Sequence, residues 1–291
     1  MAESVRPTHK IRTFDDQFDP GGGGINVARV VHVLGGDARA LVATGGATGV
    51  LIGELLDQSG INWHAIPIRG RNRISLNVHE RTTGLEYRFV PAGPTLEPDE
   101  WGAALEALAH ADAEWIVASG SLPPGVPADF YARAAARASQ RGQKFVLDTS
   151  GPALQAIGVT GMELLKLSLG ELEFLVGRSL PDARSQEAEV VRLIEAGIAC
   201  KIAVSLGENG ALLGTLNGIN RVRALKVKLH GAVGAGDSFL AGLVLGLARG
   251  LSDLQALTFA NAAGAAAVTT FGTARVQRAE VEALYRDQFL D

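Results

Sequence analysis

Gly231-Ala-Val-Gly-Ala-Gly-Asp-Ser-Phe-Leu-Ala-Gly242 sets a turn of small residues against the start of a strongly apolar helix. The N–H groups that open a helix have no partner within it, so they form a pocket for an anion. Gly234, Ala235 and Gly236 keep side chains larger than methyl out of that pocket. Asp237, next in line, has two readings. It can cap its own helix, or it can take a proton from a hydroxyl while the neighbouring amides hold a transferring phosphoryl group. The greasy run that follows, 239–248, is much too short to span a bilayer and suits a buried helix.

Moving outward, three more small-residue clusters sit where strand-like runs give way to helical ones. They are Gly21-Gly-Gly-Gly-Ile-Asn-Val-Ala-Arg29, Gly45-Gly-Ala-Thr-Gly49 and Ser119-Gly-Ser-Leu-Pro-Pro-Gly125. The first opens a helix with Ile25, Val30, Val31 and Leu34 on one stripe and Asn26 near its start, placed to hydrogen-bond sugar hydroxyls. Apolar strand-like runs at 38–44, 114–119, 144–148, 163–167 and 200–205 alternate with helical patterns at 50–58, 129–141, 170–176 and 186–196. This alternation predicts an α/β fold, a mainly parallel sheet with helices on both faces and ligands at the carboxyl ends of its strands. The rhythm breaks twice. Residues 73–80 alternate with period two, turn at Thr82-Thr-Gly84 and return over 85–90, which predicts a β-hairpin beside the main sheet. A second β-rich stretch covers 211–227.

Composition narrows the function class. At 47% hydrophobic and 20% charged over 291 residues, the chain can bury a large core. Lys and Arg total 27 against 31 Asp and Glu, for a net charge of -4, so the basic excess of a nucleic-acid binder is missing. The single cysteine, Cys200, cannot form an internal disulfide, and Met1–Lys10 is too polar for the apolar segment of a signal peptide. A cytoplasmic protein with no membrane partner is expected. The 6 histidines are scattered without metal-ligand spacing. Neither Gly-x-x-x-x-Gly-Lys-Ser/Thr nor Gly-x-Ser-x-Gly occurs, which sets aside P-loop kinases and serine hydrolases of the elbow type.

Taken together, the four clusters and Val204-Ser-Leu-Gly207 resemble the PfkB (ribokinase-like) sugar kinases, in order and with ordinary spacing from about Arg6 to Leu284. Within that family they are most similar to the group holding the minor bacterial 6-phosphofructokinase and tagatose-6-phosphate kinase. The resemblance implies a ribokinase-like fold: one kinase domain over 1–291 with a small β-sheet lid from segments of about 6–20 and 68–92. It implies magnesium- and ATP-dependent phosphorylation of a sugar phosphate, fructose 6-phosphate first. The alternatives are tagatose 6-phosphate or fructose 1-phosphate kinase activity, or a non-catalytic nucleotide- or sugar-phosphate-binding homologue.

By the same resemblance Asp237 is the base, with Gly234, Ala235 and Gly236 as the anion hole. Gly21, Gly22 and Asn26 meet the sugar, while Arg73, Ser121 and Arg88 reach its phosphate. Lys166, Ser205, Gly207, Asn261 and Gly264 line the ATP site, and Glu171 supports Mg2+ through water. A homodimer through the lid is implied, since exposed lid strands need cover; Lys10 reads as a surface charge. Two departures stand out. Relatives carry a further strand ending in Asn-Pro-x-x-Asp ahead of the segment that matches Met1 onward. Lys166-Leu-Ser-Leu-Gly-Glu171 stands where the family has Lys-Pro-Asn-x-x-Glu, so Ser168 is expected to weaken metal support.

Overall fold

Residues 1–231, 233–270 and 275–288 are described by the structure, a computed structural model. The first glycine cluster winds directly into α1 (Gly23–Val33), with Ile25, Val27, Val30 and Val31 buried. Gly22 turns the chain with φ 124°, a conformation L side chains rarely adopt. A parallel β-α-β unit follows: β1 (Arg39–Thr44), α2 (Gly46–Gln58) and β2 (Asn62–Pro67), with Arg39 opposite Asn62. Next comes the predicted hairpin, β3 (Leu76–His79) and β4 (Glu86–Phe89), antiparallel with Leu76 opposite Phe89.

Helix α3 (Pro98–Ala109) starts at a proline, and its Glu100 carboxylate accepts from the Glu97 amide at 2.7 Å, satisfying a donor at the helix entry. Then β5 (Trp115–Ser119), α4 (Phe130–Gln140), β6 (Lys144–Asp148), α5 (Gly151–Gln155), β7 (Met162–Ser168), α6 (Leu169–Val176), α7 (Ala183–Glu195) and β8 (Ala199–Ser205) continue the alternation. A hairpin of β9 (Ala211–Thr215) and β10 (Gly218–Val222) precedes the closing helices α8 (Ala235–Ala248), α9 (Asp253–Val268) and α10 (Arg278–Asp287).

The main sheet has six strands in the order β10-β9-β8-β7-β6-β5, parallel from β5 to β8 and antiparallel beyond. Successive strand residues point to opposite faces, which splits the core in two. Val146, Leu164 and Ala203 pack under α1, α8 and α9. Phe145, Leu147, Leu165 and Ile202 pack with residues of α3, α4 and α7. Helices α8 and α9 are apolar almost all round and lie close together. A Cβ on Gly242 would fall 2.9 Å from Ala263 Cβ and 3.0 Å from Ala260 Cα.

The expected single sheet is interrupted. Strands β1 and β2 pair only with each other, and among the described residues no strand bonds the free edge of β1 or of β5. Helix α1 packs on both β1 and β5, so the helical layer bridges the break. The third, small sheet is the hairpin β3–β4, within the segment 68–92 expected to form a lid. Ala2 bridges to Thr13 and Glu80, ahead of the expected segment 6–20. Glu80 ties this corner together, accepting from Val5 N at 2.5 Å, Thr83 Oγ1 at 2.5 Å and Tyr87 OH at 3.2 Å. Those bonds, Thr83 first, hold its carboxyl below the usual range. Among the described residues no helix is long and apolar enough to cross a membrane.

Candidate active site

Three elements meet at Asp237. Gly234, at φ 79°, is the N-cap of α8, which leaves Asp237 in the first helical turn rather than at the cap. Its carboxylate is used elsewhere: Oδ2 accepts from Asn26 Nδ2 at 2.8 Å, and Oδ1 from Ser119 Oγ at 3.4 Å. Asn26 is buried on α1, and Ser119 ends β5. The two elements can approach because Gly23 lacks a side chain; a Cβ there would sit 2.3 Å from Ser119 Oγ and 2.9 Å from its carbonyl carbon. The turn after Ser119 is pinned as well. Gly120 O accepts from Tyr131 OH at 2.7 Å and from Thr149 Oγ1 at 3.0 Å.

Beside the anion turn stands a buried ion pair. Lys166 Nζ lies 3.2 and 3.3 Å from the Asp148 carboxylate oxygens, on neighbouring positions of β7 and β6. The same ammonium would be 3.0 Å from a Cβ on Gly236, so glycine there gives a cation direct access to the amide-lined turn. Burial pushes the Asp148 carboxyl up to about 6. Lys166 works against that rise, while Glu171 and Asp237 add to it. Asp148 therefore feels two further acids around this turn.

Glu171 is also organised locally. Ser168 caps α6, and Glu171 Oε2 accepts from Ser168 N at 2.7 Å and Ser168 Oγ at 2.9 Å. Serine at the departing position is thus a helix cap.

The other predicted residues lie around this cluster. Ser205 Oγ donates to Leu167 O at 3.4 Å, and Gly207 opens a short 3-10 turn at φ 59°. Asn261 is buried, and its Nδ2 donates to Arg223 O and Gln288 Oε1, each at 2.9 Å, tying α9 to two neighbouring segments. Gly264 lets α9 pass the start of α8, where a Cβ would meet Phe239 Cβ at 3.4 Å and Ala235 O at 3.5 Å. Gly21 has open space around it. Arg73, Arg88, Ser121 and Lys10 are exposed. The segment carrying Arg73 is anchored by its neighbour. Asn72 accepts from Gly45 N and donates to Ala43 O, both at 2.8 Å, fixing it to the β1–α2 turn.

Four residues that sequence reasoning did not single out belong to this arrangement: Arg29, Ser119, Asn72 and Asp148. Arg29 follows Asn26 by three positions, a same-face spacing on a helix, and Asp148 ends a parallel strand on the ligand side of the sheet. Those two signals were available before the fold was known.

A model of the pfkB family of carbohydrate kinases matches residues 2–279. A Mycobacterium tuberculosis protein named ATP-dependent 6-phosphofructokinase isozyme 2 is 45% identical, covering 97% of this chain and 83% of its own. An Escherichia coli K12 protein of the same name is 35% identical, covering 98% and 93%. The crystal structure of Escherichia coli phosphofructokinase-2 in complex with fructose-6-phosphate matches with a TM-score of 0.92 at 33% identity, over 99% of this chain and 94% of that one.

Proposed function

This chain belongs to the pfkB family of carbohydrate kinases, and on that premise we propose that it transfers the γ-phosphoryl group of ATP to the C1 hydroxyl of fructose 6-phosphate. The observation that carries the proposal is Asp237, held by Asn26 and Ser119 in the first turn of α8, next to Gly236, which the buried Lys166 ammonium approaches. Asp237 takes the hydroxyl proton as the new oxygen–phosphorus bond forms and the bond to ADP breaks. The amides of Gly234, Ala235 and Gly236, with the Lys166 ammonium, stabilise the charge on the phosphoryl oxygens.

Recognition divides by distance from that centre. Gly21, Gly22 and the second N–H of Asn26 meet the sugar, and Arg73, Arg88 and Ser121 take its 6-phosphate. Ser205 and Gly207, with Asn261 and Gly264 on α9, border the nucleotide. Magnesium suits the donor set as a hydrated ion. Glu171 and Asp237 each add to the negative field at Asp148, yet the described residues hold no group of three side chains able to grip a metal directly. Mg2+ characteristically keeps several waters and shares itself with phosphates. Glu171 would hold it through water, and bound with ATP it neutralises charge between the β- and γ-phosphates.

The lid supports a homodimer. Leu76 and Phe89 are paired on one face of the hairpin, 52% and 56% exposed, whereas Asn77, Arg88, His79 and Glu86 share the other. An apolar lid face turned from the polar one suits a second copy of itself.

The deciding experiment is ADP release from MgATP with fructose 6-phosphate, run beside Asp237→Asn. Turnover that the substitution abolishes is expected. A folded, ATP-binding chain without turnover would overturn the proposal.

A further inference from the structure

Arg29 lies one turn beyond Asn26 on α1, and no step above uses it. Its Nη2 donates to Asn26 Oδ1 at 3.1 Å, and Asn26 Nδ2 in turn donates to Asp237 Oδ2 at 2.8 Å. Placing Arg29 here is costly to the fold. Its Nε is buried without a partner, and burial lowers the pKa of the guanidinium against the pull of Asp19 and Asp237. Arg275, beside Asp19 at 3.5 Å, adds to the lowering.

The chemistry of the three groups gives that cost a purpose. A guanidinium has donors only, so an amide facing it must present its oxygen. Asn26 is then obliged to turn its NH2 toward Asp237. Without Arg29 the carboxamide can rotate half a turn at little steric cost, since its two ends are nearly the same size. Rotated, it would set Oδ1 against the Asp237 carboxylate, an arrangement that favours a protonated acid. A protonated acid accepts no proton.

We infer that Arg29 is a positioning residue: by locking the orientation of the Asn26 amide it keeps an Asn26 N–H, and not its oxygen, on Asp237 Oδ2. Oδ1, whose bond to Ser119 is the longer at 3.4 Å, is left to receive the proton. The inference rests on Asp237 being the base of the proposed reaction.

Its test combines a titration that needs no turnover with kinetics that do. The Asp237 carboxyl is followed by 13C NMR in the ligand-free protein, assigned by its loss in Asp237→Asn. In Arg29→Met, which keeps bulk but no donor, the titration is expected to move up by about one pH unit. Arg29→Lys, retaining donor and charge, restores most of the wild-type midpoint. In steady-state assays the acid limb of the kcat–pH profile of the Met variant moves up with the carboxyl, so that kcat falls by up to about tenfold on that limb. KM for fructose 6-phosphate rises as well, since the rotated amide withdraws the Asn26 N–H that meets the sugar.

An arginine that merely ties α1 to its surroundings would lower kcat with the pH profile unmoved, and an unmoved titration in the Met variant overturns the inference. Should that variant fail to fold, Arg29→Gln carries the same titration, a smaller upward shift supporting the inference and none overturning it. If the wild-type chain itself shows no turnover, the kinase reading fails, and the carboxyl titration still decides whether Arg29 controls Asp237.

Discussion

On the floor of the site each polar side chain is fastened to another: Asp237 to Asn26 and Ser119, Asn26 to Arg29, Lys166 to Asp148, Glu171 to Ser168. The proposed lid presents Arg73 and Arg88 from exposed positions, and among the described residues neither has such a partner. The two regions answer different demands. Groups that stabilise a transition state work best when fixed before the substrate arrives, whereas groups that recruit a phosphate must be free to close on it. The contrast makes a quantitative claim: substitutions on the floor should change kcat or stability, and substitutions on the lid should change KM.

The largest effect belongs to the floor. Asp237→Asn keeps the shape and both neighbours but removes the proposed base, and kcat is expected to fall about a thousandfold. KM and the thermal midpoint should stay close to wild type. A rise in KM with kcat preserved would place Asp237 among the binding groups and break the contrast at its strongest point.

Next comes the buried pair, read through stability. The Asp148 carboxyl sits at about 6 against an ordinary 3.8, so the folded chain holds that proton more firmly than the unfolded one. Its contribution is fully present below about pH 4 and is lost as the pH climbs through 6, a loss on the order of 3 kcal/mol. Urea unfolding of wild type and Asp148→Asn at steps from pH 4 to 7 should give free energies that converge or cross by about that amount. Parallel curves would mean that Lys166 compensates the burial in full.

The pair also marks a limit of sequence reading. Strand β6 was legible to its ends, because Lys144-Phe-Val-Leu-Asp148 is an apolar run closed by charge. That Asp148 meets Lys166 depends on the register between β6 and β7, which periodicity alone does not specify. Helix α9 left no period to read, because an Ala-rich helix buried all round has no polar face. Strand β2, ending at Pro67 with His64 inside it, alternates too weakly to stand out. Asp237, Asn26 and Lys166 were found by their motifs. Arg29 and Ser119 were not, since Arg29 acts through another side chain and Ser119 acts from a strand end.

The lid arginines come third. Arg73→Gln removes the charged donor proposed for the substrate phosphate and should raise KM for fructose 6-phosphate about twentyfold with kcat within about twofold. Arg88→Gln, on the polar face of the hairpin opposite Asn77, should act in the same direction and less strongly. Loss of kcat in either would show that lid closure helps assemble the floor, and the two regions would then be one machine.

The smallest effect tests the floor where it meets the expected metal. Within the capping box that Ser168 N closes on Glu171 Oε2, Ser168 Oγ both donates to that oxygen at 2.9 Å and accepts from Glu171 N at 3.3 Å. Ser168→Ala removes both bonds and should cost about 1 kcal/mol of stability. It also loosens the Glu171 carboxylate, which keeps only the backbone amide of residue 168 at 2.7 Å, so the magnesium concentration for half-maximal rate should rise about threefold. Asparagine is as good a cap as serine, so Ser168→Asn should leave stability unchanged while offering a longer polar arm. If serine at this position weakens metal support, the asparagine variant needs less magnesium than wild type. If the cap is all that Ser168 supplies, its magnesium dependence stays put, and the role of this residue ends at holding Glu171 in place.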